Sequence, residues 1–186
     1  MQTTTLERTQ QSHTTTKPVR TLKIEAASRK EMSLVSHMIR TSADMYAQFV
    51  AEEDMDEHYV GAEWEEKNFH QRDFYLGYNA EGDAVGTLSL QYFGDYVYIG
   101  YLYLDTKYMG NGYGRRFLDF AREKVAKNNK KGMYLIAHPE ATWAVRAYEK
   151  YGFKEEASRK EDILAWNQGC LNGYHEEGFN LFVYRP

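Results

Sequence analysis

The most constraining feature of this 186-residue chain is the segment 96–125, where an apolar run leads through a glycine cluster into a helical pattern. Residues 96–104 are rich in Tyr, Val, Ile and Leu, which predicts one strand buried on both faces. Three glycines then occupy alternate positions, and apolar residues recur on one helical face beyond them. The glycines are Gly110, Gly112 and Gly114, and the apolar residues are Phe117, Leu118, Ala121 and Val125.

A strand that passes through glycines into a helix start is suited to holding an anion. Glycines let backbone N–H groups approach a ligand, and the helix N-terminus adds unpaired donors and the positive end of its dipole. The dinucleotide fingerprint does not fit, because Arg115 or Phe117 stands where its third glycine is required. A P-loop is excluded, because no Gly-Lys pair is followed by Ser or Thr. We therefore predict a phosphate-bearing ligand; the alternative is a turn that only lets helix and strand pack closely.

Length and composition predict a single globular domain over 21–186, preceded by a flexible, Thr- and Gln-rich tail over 1–20. The net charge of −4 disfavours nucleic-acid binding, which needs a basic surface. A lone cysteine, Cys170, excludes an intrachain disulfide and a multi-cysteine zinc site, so we expect a reducing cytoplasm and no metal. No apolar run approaches the roughly 20 residues of a membrane span, so no membrane association is expected.

The order of predicted elements differs from that of a dinucleotide-binding fold, because three antiparallel strands precede the glycine loop. Those strands cover 73–79, 84–92 and 96–104, after a first strand over 21–26, a helix from the capping box Ser28–Glu31 and a short second helix. A strand over 133–137 should lie parallel to the strand before the crossover helix. The remaining predictions are a helix over 142–150, a strand from 153, a second capping box at Ser158–Glu161 opening a helix over 162–167, and a strand over 179–184. The predicted class is α/β (α+β), with a mixed, mostly antiparallel sheet flanked by helices.

Together with two motifs, this order resembles the GNAT superfamily of N-acetyltransferases over residues 21–186. The family's loop, Gln/Arg-x-x-Gly-x-Gly/Ala, matches the glycine cluster, with Met109 in the Gln/Arg position. The family's second signature, Asn-x-x-Ala-x-x-Leu/Phe-Tyr-x-Lys-x-Gly-Phe, aligns with residues 141–153. Its matching positions are Ala144, Tyr148, Lys150, Gly152 and Phe153, whereas Ala141 stands where the family usually has Asn.

The resemblance implies an acyltransferase that uses acetyl-CoA as co-substrate. The CoA pyrophosphate is expected on the loop's backbone N–H groups, and the pantetheine arm beside residues 102–104, where the sheet should splay from the strand over 133–137. The implied cofactor-binding residues are Leu102, Leu104, Met109, Gly110, Asn111, Gly112, Tyr113, Gly114 and Arg115.

Tyr148 is the catalytic residue that the resemblance implies. We expect a neutral amine to attack the thioester directly, and a phenol, with a pKa of about 10, can protonate the departing CoA thiolate. The general base is not identified, because the strand offers Tyr101 and Tyr103 instead of a carboxylate. The other groups considered are Glu65, Glu66, His138 and Glu140, and the default expectation is a water relay to an acidic group.

The acceptor is not determined by these motifs. An acidic patch is either a solvated surface or a rim that attracts a cationic acceptor. It contains Glu52, Glu53, Asp54, Asp56, Glu57, Glu63, Glu65 and Glu66. We predict a small cationic amine, with a protein N-terminus or lysine as an alternative. A different class, a catalytically silent acyl-CoA sensor, stays open because Ala141 replaces the family's Asn. The segment 166–182 is a candidate homodimer interface.

Overall fold

The structure of the protein, a computed structural model, describes residues 21–186, so the predicted tail over 1–20 lies outside the described residues. The strands are Lys23–Ala26 (β1), Asp73–Tyr78 (β2), Ala84–Phe93 (β3), Tyr96–Ile99 (β4), Tyr103–Leu104 (β5), Gly132–Ala137 (β6), Lys154–Ala157 (β7) and Asn180–Tyr184 (β8). The α-helices are Met32–Arg40 (α1), Ala43–Tyr46 (α2), Ala62–Phe69 (α3), Tyr113–Lys127 (α4), Thr142–Tyr151 (α5) and Lys160–Ala165 (α6). Short 3-10 turns cover Arg29–Glu31, Glu52–Glu57, Thr106–Tyr108 and Trp166–Gly169.

One sheet runs through the molecule in the order β1-β2-β3-β4-β6-β8-β7, with β5 paired to β3. Among the strand pairs of residues 21–186, only β4 and β6 are parallel, and the other pairs are antiparallel. The predicted mixed, mostly antiparallel sheet is therefore confirmed, as is the parallel pair that flanks the crossover helix.

The predicted single strand over 96–104 is wrong, because the chain is interrupted between β4 and β5. Leu90 pairs with Ile99 and Thr87 pairs with Tyr103, so the second strand carries one extra residue. At this bulge the backbone N–H of Leu102 donates to the carbonyl of Gly100 at 2.9 Å. An apolar composition does not reveal such a bulge, which depends on the neighbouring strand.

The sheet opens where β4 and β6 diverge. Their parallel pairing covers three positions and ends at Tyr98 and Tyr134, whereas β6 continues to Ala137 with β8 as its neighbour. The gap lies beside the bulge of β4 and at the start of α5, and it positions the site described below.

Helices cover both faces of the sheet. The predicted apolar face of α4 is buried against β4 and β6, with Phe117 and Ala121 fully enclosed. On the opposite face, Val35 and Ile39 of α1 pack against β2. Burying such side chains contributes about 1.5–3 kcal/mol each, which holds the two layers on the sheet.

The two Ser-Arg-Lys-Glu sequences behave differently. At the first, the carboxylate of Glu31 accepts from the N–H and the hydroxyl of Ser28, at 2.8 and 2.6 Å, so this capping box is confirmed. At the second, the helix begins at Lys160, its N-cap is Arg159, and no side chain caps it. The prediction of a second capping box is therefore wrong. The helix predicted over 162–167 ends earlier, at Ala165.

The segment 166–182 packs on its own chain, with Leu171 and Tyr174 lying over Tyr98 and Tyr134. Cys170 is half-buried, and its sulfur lies 3.1 Å from the hydroxyl of Tyr134. The homodimer stays a prediction. Among residues 21–186, no helix is long and apolar enough to cross a membrane.

Candidate active site

The gap in the sheet opens into two cavities that share a wall. One, of about 380 Å³, is lined by acidic and aromatic side chains and is called the acidic cavity. The other, of about 550 Å³, extends from the bulge to the glycine loop and is called the glycine-loop cavity. Both cavities are lined by Tyr46, Leu102, Tyr103, Ala144 and Tyr148. The two cavities, which differ in chemistry, therefore adjoin at these five residues.

Most of the predicted cofactor-binding residues line the glycine-loop cavity. They are Leu102, Leu104, Met109, Gly110, Gly112, Gly114 and Arg115. Asn111 and Tyr113 lie outside its wall: the Asn111 amide donates to the Tyr108 carbonyl at 3.0 Å, and Tyr113 is buried. Asn111 therefore stabilises the loop conformation, and Tyr113 anchors the start of α4.

The loop needs glycine for its backbone conformation. Gly110 and Gly112 have φ of +75° and +84°, in the left-handed region that side chains disfavour. A Cβ at either position would meet nothing within 4 Å, so lack of space is not the cause.

Helix α4 starts directly behind this loop, and the first amides of a helix have no intrahelical partner. Its N-cap, Gly112, provides no capping side chain, and Arg115 and Lys150 add positive charge to the cavity wall. Apolar side chains that sequence reasoning missed complete the wall: Leu118, Trp143, Ala147 and Tyr151. The cavity thus offers anion-binding donors at one end and an apolar surface towards the shared wall.

Tyr148 lies on the shared wall, carried by α5. That helix ends at Gly152, whose φ of +117° is left-handed, and Phe153 is buried behind it, packed against the Tyr148 ring. Desolvation raises the pKa of Tyr148 to about 12. Its phenol is therefore protonated near neutral pH and can donate a proton or a hydrogen bond into either cavity.

The acidic cavity gathers four carboxyl groups and one guanidinium. The carboxyl groups are those of Asp54, Asp56, Glu57 and Glu176. Arg72 lies between the rings of Tyr101 and Tyr174, 4.8 Å from each ring centroid. Desolvation is the main cause that lowers the pKa of His138 and of His175, so both rings stay neutral near pH 7. The cavity is consequently acidic overall.

Only part of the acidic patch reaches this cavity. Asp54, Asp56 and Glu57 line it, but Glu65 accepts from Ser36 and Glu66 from Arg29, both away from the wall. Glu52 and Glu63 are exposed and also lie outside the wall. Part of the patch therefore lines the acidic cavity and part lies elsewhere on the surface, and the attraction of a cationic acceptor stays a prediction.

The two strand tyrosines are paired with acid and base groups from elsewhere in the chain. The Tyr101 hydroxyl donates to the Glu57 carboxylate and accepts from Trp64 Nε1 at 3.0 Å. The Tyr103 hydroxyl lies 3.1 Å from Nδ1 of His58. No local sequence pattern pointed to these contacts, because Glu57 and His58 lie 44 and 45 positions away from their tyrosine partners.

Sequence reasoning missed His58 and Glu176. His58 is 1% exposed, and its Nε2 lies 3.4 Å from the nearer carboxylate oxygen of Glu176. Desolvation raises the pKa of Glu176. Among the earlier candidates for the base, only His138 lines the cavity; Glu65, Glu66 and Glu140 lie outside its wall.

The chain matches a known protein family in sequence. The sequence model of the acetyltransferase (GNAT) family matches residues 37–153. The chain therefore belongs to the GNAT family of acetyltransferases, as its sequence predicts.

Solved GNAT structures share the fold. An acetyltransferase from Staphylococcus aureus Mu50 is 16% identical, covers 89% of this chain and 99% of its own, and gives a TM-score of 0.67. The PaiA N-acetyltransferase from Thermoplasma acidophilum, in complex with coenzyme A, is 18% identical over 89% and 99%, with a TM-score of 0.69. The spermidine N-acetyltransferase from Vibrio cholerae, in complex with CoA and spermine, is 15% identical over 88% and 95%, with a TM-score of 0.64. A comparison with curated proteins gave no match.

Proposed function

We propose that this acetyltransferase transfers the acetyl group of acetyl-CoA to an amine of a small, cationic molecule, by direct attack in a ternary complex. The observation that carries the proposal is the meeting of the two cavities at Tyr148. A donor thioester in one cavity and an acceptor amine in the other would approach each other across this shared wall.

Acetyl-CoA suits the glycine-loop cavity. Its pyrophosphate would accept from the backbone N–H groups at Gly110 to Gly114, with Arg115 and Lys150 adding charge. The pantetheine arm would lie along Leu102 and Leu104. The fold neighbour from Thermoplasma acidophilum, which was solved with coenzyme A, supports this choice of donor.

An acceptor with more than one positive charge suits the acidic cavity. Four carboxyl groups face one guanidinium there, and the aromatic rings of the wall provide surfaces that attract ammonium groups. A fold neighbour that was solved with spermine supports a polyamine-like acceptor. The cavity volume of about 380 Å³ also favours a small molecule over a protein segment.

The proposed reaction needs three proton movements. The acceptor ammonium loses a proton, and the neutral nitrogen attacks the thioester carbonyl, forming a C–N bond. When the C–S bond breaks, Tyr148 donates its phenolic proton to the sulfur and takes the remaining ammonium proton of the new amide nitrogen. A phenol with a pKa of about 12 is protonated before this step, as the role requires.

The test is release of free CoA thiol in the presence of an amine panel. The panel contains neutral amides, monoamines, diamines, polyamines, an aminoglycoside, and peptides with a free N-terminus or lysine. We expect the highest kcat/KM for acceptors with two or more positive charges. Tight acetyl-CoA binding without release by any amine would instead identify the sensor, and release with peptides alone would overturn the small-molecule acceptor.

A further inference from the structure

Three polar side chains from distant parts of the sequence form a line of contacts that starts at the shared wall. Tyr103 comes from β5, His58 follows the turn Glu52–Glu57, and Glu176 comes from the loop before β8. The Tyr103 hydroxyl lies 3.1 Å from Nδ1 of His58, and Nε2 of His58 lies 3.4 Å from Glu176 Oε2. Tyr103 lines both cavities, whereas the imidazole behind it is almost completely buried.

The contact between His58 and Glu176 can accommodate an added proton. Neither Nε2 of His58 nor Oε2 of Glu176 has a hydrogen-bond partner among the described residues, although both atoms are buried. Buried polar atoms without partners are costly, and these two face each other. A positive charge on the imidazole would turn this contact into a buried ion pair.

Resting on the function proposed above, we infer that Tyr103 and His58 take the proton that the acceptor ammonium must lose. The ammonium N–H transfers its proton to the Tyr103 oxygen as the phenolic proton passes to Nδ1 of His58. Tyr103 is neutral before and after the step, the amine becomes neutral, and His58 becomes an imidazolium opposite the Glu176 carboxylate. The proton leaves His58 for solvent after the products depart.

The surroundings of His58 favour this role over the other groups on the wall. The ionisable groups that face its ring are Tyr103, Glu176 and Tyr46, whose ring stacks on the imidazole at 4.6 Å. Glu57 is held by the Tyr101 hydroxyl. Nδ1 of His138 accepts from the backbone N–H of Glu140 at 3.2 Å, and its ring stacks on Phe49. His58 thus contacts both the Tyr103 hydroxyl, which reaches the shared wall, and the Glu176 carboxylate, which can stabilise a positive charge on the imidazole.

The decisive experiment compares His58→Gln with wild type on two diamines. One is an ordinary diamine, protonated at the assay pH; the other carries fluorine beside the reacting nitrogen, which is then already neutral. General-base catalysis contributes about 10²–10⁴-fold, so we expect kcat/KM of His58→Gln to fall about 100-fold on the ordinary diamine. The loss should shrink to less than about tenfold on the fluorinated diamine, which needs no base.

Tyr103→Phe should show the same selectivity, because it removes the hydroxyl that links the amine to His58. Acetyl-CoA affinity, measured by calorimetry, should stay within about twofold in both variants, which separates a proton-transfer defect from a folding defect.

The controls are His70→Gln, an exposed histidine on the surface, and His138→Gln, the competing base. His70→Gln should match wild type. Equal losses of His58→Gln on both diamines would overturn the inference, as would the selective loss appearing in His138→Gln. Failure of the proposed function would be distinguishable, because the wild-type protein would then release no CoA thiol with any amine.

Discussion

The two cavities of the active site are built in different ways. Apart from Ser42 and Tyr46, the wall of the glycine-loop cavity comes from a single stretch, residues 102–151. The wall of the acidic cavity comes from separate segments around residues 46–57, 72, 98–103, 136–148 and 173–179. One half of the site is thus a local structure, and the other exists only after distant loops have folded onto the sheet.

This difference in construction allows the binding of the two substrates to be tested separately. If the local half binds the donor and the assembled half binds the acceptor, a substitution in one cavity should change the KM of one substrate only. Residues on the shared wall should instead change turnover. Three predictions test this division, from the largest expected effect to the smallest, and two further predictions concern the stability of the fold.

Tyr148→Phe tests the shared wall. We expect kcat to fall about 100-fold with little change in acetyl-CoA affinity, because the phenol acts as an acid on the departing thiolate. Since desolvation raises the pKa of Tyr148 to about 12, this group should contribute no basic limb to the pH profile below about pH 11. Steady-state kinetics and calorimetry measure both effects. The control is Tyr59→Phe, which changes an exposed tyrosine. Unchanged turnover in Tyr148→Phe would show that Tyr148 is not the catalytic acid.

Gly114→Val tests the local half. A Cβ at Gly114 would lie 3.7 Å from the Leu104 side chain, an ordinary contact, but the larger side chain would extend into the glycine-loop cavity. We expect the KM for acetyl-CoA to rise about tenfold, which corresponds to about 1.4 kcal/mol, with the acceptor KM unchanged.

The control for this substitution is Gly61→Ala. A Cβ at Gly61 meets nothing within 4 Å, and the residue lies outside both cavities. If Gly114→Val changed the acceptor KM instead, the assignment of the donor to this cavity would be wrong.

Glu57→Gln tests the assembled half. The amide keeps an acceptor for the Tyr101 hydroxyl but removes one negative charge from the acidic cavity. We expect the KM of a dicationic acceptor to rise about fivefold, or about 1 kcal/mol, and its salt dependence to weaken. Glu63→Gln, on the exposed side of α3, should leave both unchanged. An equal effect of the two variants would show that only the net charge of the surface matters.

The smallest expected effect is on the free energy of unfolding and concerns the two Ser-Arg-Lys-Glu sequences. Ser28→Ala removes a capping box and should lower the free energy of unfolding by about 0.5–1 kcal/mol, whereas Ser158→Ala, in an identical tetrapeptide without a box, should have almost no effect. Denaturant unfolding measures both. A similar loss of stability in both variants would contradict the conclusion that only Ser28 belongs to a capping box.

The pH dependence of that stabilisation follows from Glu31. The hydrogen bond from the Ser28 hydroxyl, followed by that from its N–H, lowers the pKa of Glu31 in the folded protein. A lowered folded pKa means that the stabilisation is present above the ordinary Glu value of about 4.3 and is lost as pH falls through the folded value. The difference between wild type and Ser28→Ala should therefore shrink in acid.

Much of the fold was predictable because it rests on near neighbours in the sequence. The alternation and helical periodicity around residues 73–127 placed β2, β3 and α4 correctly, and glycine spacing located the loop. The bulge between Ile99 and Tyr103 was not predictable, since an extra residue in an apolar run leaves the composition unchanged. The acidic patch was visible, but nothing in it distinguished Glu57, which lines the cavity, from Glu65, which hydrogen-bonds Ser36.

The sequence by itself determined the order of the elements, the glycine-loop geometry and the family, because each depends on short-range periodicity or on residues a few positions apart. Only the tertiary structure decided that His58 meets Tyr103 and Glu176, which are 45 and 118 positions away from it. Such contacts arise from how loops close over the sheet. The free-energy cost of closing these loops and the gain from packing them are spread over the whole core, so the local sequence pattern does not show them.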